Sequence, residues 1–173
     1  AKSLIDNGFK AMTIPGHRLM DEHGERIPLN SDEMMRMFHY MEDHDTILSI
    51  FLMEGTAQIP ELREVIQECP KLKIAIGHFG GITWLFNDEF YPFKGAMRAI
   101  REASDLVGME KLMWGSDYPR TITAITYRMS YDFITKSSLI TEREKALFLG
   151  ENALNFYGFK GFRDLPYIKN MSE

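Results

Sequence analysis

Three apolar runs of strand length, in alternation with loops and amphipathic helical patterns, most constrain the fold of this chain. The runs occupy residues 9–14, 47–53 and 72–77. Their residues are almost all apolar rather than alternately apolar and polar, which is typical of strands buried on both faces. Such strands are joined by helices that cover a parallel sheet. We therefore predict an α/β fold in which residues 1–173 form a single domain.

Helix start signals separate these runs. Ser31, followed by two acidic residues, is predicted to be the N-cap of a helix. Pro60 is expected near the first turn of the next helix, where proline is tolerated. Thr141 with Glu144 three residues later forms a capping-box pattern that predicts the start of the last pair of short helices.

Composition excludes several classes of partner. A net charge of −5 with no basic block argues against nucleic acid or an anionic membrane surface. Cys69 is the only cysteine, so an intrachain disulfide is excluded and a reducing compartment is favoured. No apolar run approaches the ~20 residues needed to span a bilayer. We predict a cytoplasmic protein that binds a small-molecule substrate.

Two polar side chains follow predicted strands, where parallel α/β folds place their chemistry. His78 follows the third run, and Asp117 follows a short strand predicted at 112–114. Together they suit a site in which the carboxylate binds a divalent metal or takes a proton, and the imidazole orients a water or substrate oxygen. The alternatives are that Asp117 caps the following helix and that His78 merely caps its strand.

Other polar residues have similar positions at predicted strand ends. Glu54 follows the second run, and a solvated surface role is the alternative. His17 and Arg18 lie in a polar loop after the first run, where they would bind an anionic substrate or stay on the surface. Arg120 is suited to clamp a substrate carboxylate, or else to pair with a neighbouring acid.

Three motifs in order carry a family resemblance. They are CPKLKIAIGHFGG at 69–81, GMEKLMWGSDYPR at 108–120 and LFLGENALNFYGF at 147–159. Together they resemble the C-terminal half of the amidohydrolase-2 family, which comprises metal-dependent hydrolases and decarboxylases related to aminocarboxymuconate-semialdehyde decarboxylase.

The resemblance implies a distorted (β/α)8 TIM barrel, of which this chain would supply about strands four to eight. It implies that His78 is the catalytic imidazole and that Asp117 binds the metal or acts as a base. It also implies a substrate pocket lined by Trp84, Tyr118 and Arg120.

The chain departs from the family pattern in three places. The first-strand His-x-His metal pair is absent, so we expect that the sequence begins in mid-domain. The run ILSIFLMEG at 47–55 lacks the usual histidine ligand and leaves Glu54 as the alternative. The interval between 77 and a predicted fourth strand at 82–86 is too short for a parallel crossover. An omitted segment near 80–81 would explain it.

The resulting expectation is a hydrolase or non-oxidative decarboxylase (lyase) acting on a small carboxylated or aromatic substrate. The expected cofactor is a divalent metal, Zn or Mn, with Asp117 and Glu54 as ligands. One alternative is a metal-free lactonase or ester hydrolase. The other is a catalytically inactive barrel that serves as a binding module. The aromatic tail after Gly158 favours a homo-oligomer, with a dimer as the simplest case.

Overall fold

The computed structural model describes residues 2–52, 55–80, 89–119 and 123–160. The chain divides into two compact units, residues 1–85 and 86–173. The first unit contains, in order, α1 (Lys2–Asp6), β1 (Ala11–Pro15), α2 (Asp32–Asp43), β2 (Ile47–Phe51), α3 (Gly55–Glu68) and β3 (Ile74–Ile76). Short 3-10 turns at Gly16–Arg18 and Gly77–Gly80 follow β1 and β3.

The three strands form a parallel sheet in the order β1-β2-β3. Its register pairs Ile14 with Ile50 and Ile50 with Ile76, so the strands end at one shared edge. This confirms the predicted parallel α/β arrangement for the three runs. The prediction that 82–86 forms a fourth strand, and the proposed junction near 80–81, concern residues outside the described part of the chain.

Helices α2 and α3 pack on the sheet through apolar side chains. Phe38 and Met41 of α2, Leu48 and Ile50 of β2, and Val65 of α3 are fully buried in one core cluster. Burial of each such side chain contributes roughly 1.5–3 kcal/mol. The buried face of α2 is therefore core packing.

Two predicted helix signals differ in detail from the structure. Ser31 occupies the N-cap position of α2, but its side chain makes no capping hydrogen bond. Pro60 was expected near a first turn and is instead the sixth residue of α3, which begins at Gly55. The pattern predicted correctly that Pro60 lies in a helix. The helix begins closer to β2 than predicted, so the proline lies beyond its first turn.

The second unit is helical in its described residues. It contains α4 (Lys94–Val107), α5 (Tyr127–Thr135), α6 (Glu142–Ala146) and α7 (Asn152–Tyr157), with a π-helical turn at Leu147–Glu151 between the last two. The capping box at Thr141 and Glu144 is confirmed in both of its hydrogen bonds. Among the described helices, none is both long and apolar enough to cross a membrane.

The predicted strand at 112–114 is wrong. Leu112 has extended backbone angles (φ −106°, ψ 137°), but no described residue pairs with this segment as a strand. Instead, the N–H of Trp114 donates to the carbonyl of Phe148 at 2.8 Å. The segment before Asp117 is thus held by the C-terminal helical region rather than by a sheet.

Candidate functional site

The carboxyl edge of the parallel sheet forms the candidate site in the first unit. β1 ends at Pro15, β2 at Phe51 and β3 at Ile76, and 3-10 turns follow β1 and β3 at this edge. His78 lies in the turn that follows β3. Because the carboxyl ends of parallel strands meet at one edge, the turns after β1 and β3 lie on the same side of the sheet.

His78 is fixed by its backbone and by one aromatic contact. Its φ is +54°, in the left-handed region that non-glycine residues seldom adopt. Its half-buried imidazole stacks on the ring of Phe51, with centroids 4.9 Å apart and planes inclined by 23°. Strained backbone of this kind is concentrated at functional sites, since surrounding structure must hold it in place.

Gly77 makes the Phe51–His78 stack sterically feasible. A Cβ atom built on Gly77 would overlap two atoms of the Phe51 ring. The glycine before His78 therefore serves close packing, which the GHFGG motif alone did not reveal.

Gln58 is a site component that the sequence did not indicate. It lies in α3 and is completely buried. Its Nε2 and the carbonyl oxygen of Phe51 would each lie 2.9 Å from a Cβ built on Gly16, so the amide packs tightly at the end of β1 and β2. A buried amide at this edge is unusual in a core that is otherwise apolar. In the sequence, nothing distinguishes Gln58 from the other polar residues of an amphipathic helix.

The polar loop after β1 is fastened to α3 by an ion pair. Arg26 donates to both carboxylate oxygens of Glu61, at 2.9 and 2.5 Å, and Glu61 also accepts from the N–H of Leu29. The hydrogen bonds from Arg26 are the main reason that the pKa of Glu61 is lowered. The same loop carries Arg18, which is exposed.

Asp117 lies in the second unit, on exposed and left-handed backbone. Its φ is +48°. The next residue, Tyr118, is 67% exposed, and its N–H donates to Oγ of Ser116 at 3.3 Å. Asp and Asn tolerate this backbone region better than most residues. Asp117 is exposed to solvent in this unit.

Asn152 of the Glu-Asn-Ala motif anchors the segment that leads to Asp117. Its buried side-chain amide donates to the carbonyls of Met109 at 2.8 Å and Leu112 at 2.7 Å. Trp114 adds a second fastening, because its indole N–H donates to the carbonyl of Ser130 at 3.1 Å. These contacts give the motif a structural role in placing Asp117.

The predicted site residues fall into three groups. His78 and Arg18 lie in the first unit, at or near the sheet edge, whereas Asp117 and Tyr118 lie in the second. The pairing of His78 with Asp117 stays a prediction. Three further candidates lie outside the described residues: Glu54, Trp84 and Arg120. The side chain of His17 is likewise not described.

A separate cluster of metal-ligating side chains lies away from the candidate site. His39, Glu42 and Cys69 bring one ligand atom each to within 4.8 Å of the others. Cys69 is buried, and burial is the main cause that raises the pKa of its thiol, with Glu42, Glu68 and Asp43 adding to it.

The fold and its edge define the class of protein: an α/β chain that presents a histidine after a strand of a parallel sheet. The amidohydrolase family profile matches residues 2–159, so the chain belongs to the amidohydrolase family, as the motifs predicted.

The comparison with solved structures agrees with this class. The crystal structure of 4-oxalomesaconate hydratase, LigJ, from Rhodopseudomonas palustris is similar in fold, with a TM-score of 0.62 and 16% sequence identity. The match covers 91% of this chain and 58% of the hydratase chain. The chain therefore spans less than two thirds of that protein. No curated protein sequence matches the chain.

Proposed function

We propose that this chain is part of an amidohydrolase-type enzyme that hydrolyses, or decarboxylates without oxidation, a small carboxylated or aromatic substrate. Family membership over residues 2–159 supports the class. The observation that carries the proposal to specific residues is the position of His78, in the turn that follows β3 at the carboxyl edge of the parallel sheet. We infer a (β/α)8 barrel to which the chain contributes about strands four to eight.

In this proposal His78 activates water or substrate at the carboxyl edge of the sheet. Phe51 holds the imidazole plane, and Gly77 lets the ring of Phe51 approach. Asp117 takes a proton or binds a metal, and its side chain is exposed on a segment that Asn152 fixes. Tyr118 and Arg18, both exposed, contribute substrate contacts together with Trp84 and Arg120.

The donor chemistry of these residues fits a divalent metal, Zn or Mn. Asp117 and Glu54 would hold it through carboxylate oxygens, which such ions accept. When bound, the ion would lower the pKa of a water molecule and polarise a carbonyl oxygen. A metal-free lactonase or ester hydrolase is the second candidate, because the run at 47–55 lacks the histidine that usually supplies a metal ligand in the family.

Substitution of Asp117 by Asn in the full-length protein tests the proposal. Asn keeps the shape of Asp and tolerates the left-handed backbone, so the fold should be retained. Asp45 is a matched control, because its φ of +49° is nearly the same and it lies outside the proposed site. Lactones, aromatic carboxylates and unsaturated oxo-tricarboxylates form the substrate panel, the last suggested by the name of the similar hydratase.

We expect Asp117→Asn to lower kcat by about 10²-fold or more, the usual scale for general acid–base residues. Asp45→Asn should stay within twofold of wild type. Turnover by Asp117→Asn at the wild-type rate would overturn the assignment. Metal content is measured in a Cys69→Ser background, so that the cluster of His39, Glu42 and Cys69 does not contribute. Zn or Mn at one per chain there would exclude the metal-free candidate.

A further inference from the structure

The cluster of His39, Glu42 and Cys69 lies at the opposite edge of the sheet from His78. Helix α2 ends at Asp43, before β2 begins at Ile47, and α3 ends at Glu68, before β3 begins at Ile74. The C-termini of both helices therefore lie at the amino ends of the strands. The candidate catalytic site lies at the carboxyl ends, so the cluster is separate from it.

We propose that His39, Glu42 and Cys69 form a second metal site, which binds a zinc-type transition-metal ion. The three residues supply an imidazole nitrogen, a carboxylate oxygen and a sulfur that becomes a thiolate when the bound ion displaces the thiol proton. This mixture is typical of protein zinc sites and unsuited to Mg²⁺ or Ca²⁺, which prefer oxygen alone.

The spacing of the ligand atoms supports coordination. Ligands of a tetrahedral zinc ion, each at about 2.0–2.3 Å from the metal, lie roughly 3.3–3.8 Å apart. Sγ of Cys69 lies 3.5 Å from Nδ1 of His39, already within that range. All three ligand atoms lie within 4.8 Å of one another, so a side-chain adjustment of about 1 Å completes the set.

Contacts within the protein hold two of the three ligands, Glu42 and Cys69, in place. His39 and Glu42 are three residues apart on α2 and so share one face of the helix. The N–H of Lys71 donates to Oε1 of Glu42 at 2.5 Å, which orients the carboxylate. Cys69 is 1% exposed and follows directly after α3. His39 is exposed, which leaves one side of the ion open to water.

The local electrostatic field also favours a cation. The carboxylates of Glu42, Asp43 and Glu68 are close enough to act on the Cys69 thiol. Both helices end here, and the C-terminus of a helix carries a partial negative charge. A hydrogen bond between the thiol and the imidazole is the simpler explanation of the Cys69–His39 contact, and the experiment separates it from metal binding.

Cobalt titration of the reduced full-length protein tests the site directly. Cys69 is the only cysteine of residues 1–173, and the Cys69→Ser variant shows whether a thiolate-to-cobalt charge-transfer band arises from it. We expect such a band to saturate at one Co²⁺ per chain and to disappear on addition of Zn²⁺. His39→Ala and Glu42→Gln should each weaken binding by at least tenfold, while Cys69→Ser should remove the band.

His44→Ala and Glu33→Gln are matched controls, because both residues belong to α2 or its C-cap but not to the cluster. They should leave the cobalt affinity unchanged within twofold. Absence of the charge-transfer band in wild type overturns the proposal, and so does a band whose titration is unaffected by His39→Ala and Glu42→Gln. The proposal does not rest on catalysis, so its failure would leave the candidate active site untouched.

Discussion

The imidazole of His78 lies face to face with the ring of Phe51, 4.9 Å between centroids, at the carboxyl edge of the sheet. The contact joins the end of β2 to the turn after β3. It makes Phe51 a positioning residue for the proposed catalytic imidazole.

Replacing Phe51 by Leu should lower kcat, because the imidazole loses the surface that sets its plane. An aromatic pair of this kind contributes about 0.5–1.5 kcal/mol, which corresponds to a rate loss of roughly two- to tenfold. Phe51→Tyr keeps the ring and should restore most of the activity. Exposed Phe9 supplies the control Phe9→Leu. Equal kcat values for Phe51→Leu and Phe51→Tyr would contradict a positioning role.

Gly77→Ala should destabilise the protein by about 1–3 kcal/mol, the usual cost of overpacking. The new Cβ would overlap the ring of Phe51, which must then move away from His78. Urea unfolding measures the change. Gly115→Ala is the matched control, since a Cβ there meets nothing within 4 Å among the described residues. A Gly77→Ala protein as stable as Gly115→Ala would show that Phe51 has room to shift.

Asn152→Ala should cost about 2–3 kcal/mol of unfolding free energy, because the carbonyls of Met109 and Leu112 lose their donor inside the protein. Asn155→Ala changes an exposed asparagine of the same helix and should cost less than about 0.5 kcal/mol. If Asn152 anchors the Asp117 segment, turnover should fall even at temperatures where the variant is fully folded. Full activity of Asn152→Ala at those temperatures would show that Asn152 contributes only to stability.

Glu144 should make the protein less stable in acid. The backbone hydrogen bond from Thr141, together with the bonds from Arg101 and the Thr141 hydroxyl, lowers its pKa from 4.5 to about 2. A lowered folded-state pKa contributes stability above the unfolded value, and this contribution is lost as the pH falls from 4.5 toward 2.

Glu144→Gln should therefore flatten the decline of the urea midpoint over this acid range. Glu142→Gln is the control, since Glu142 lies two residues away with an 89% exposed side chain. It should leave the slope of the wild type unchanged. An equally steep decline in Glu144→Gln would show that other carboxylates govern the acid response.

Features encoded within a few residues were predictable. Thr141 and Glu144 are three positions apart, and their capping box forms as the pattern indicates. Gly108 follows α4 with a φ of +87°, as expected of a glycine that ends a helix. The apolar runs predicted the parallel strands, and the three motifs predicted the family. The same local patterns predicted that His78 follows the end of a strand.

Other features depend on contacts between distant parts of the chain. The segment before Asp117 has the composition of a strand, but Asn152 and Phe148 hold it from 34 or more positions away, so it does not need a sheet neighbour. The burial of Gln58 and the approach of His39 to Cys69 likewise require α2, α3 and the sheet to pack together. The sequence by itself determined the three parallel strands, the capping box at Thr141 and the family, because these depend on neighbours along the chain. Only the tertiary structure decided what holds Asp117, His78 and the Cys69 cluster, because their partners are distant in sequence.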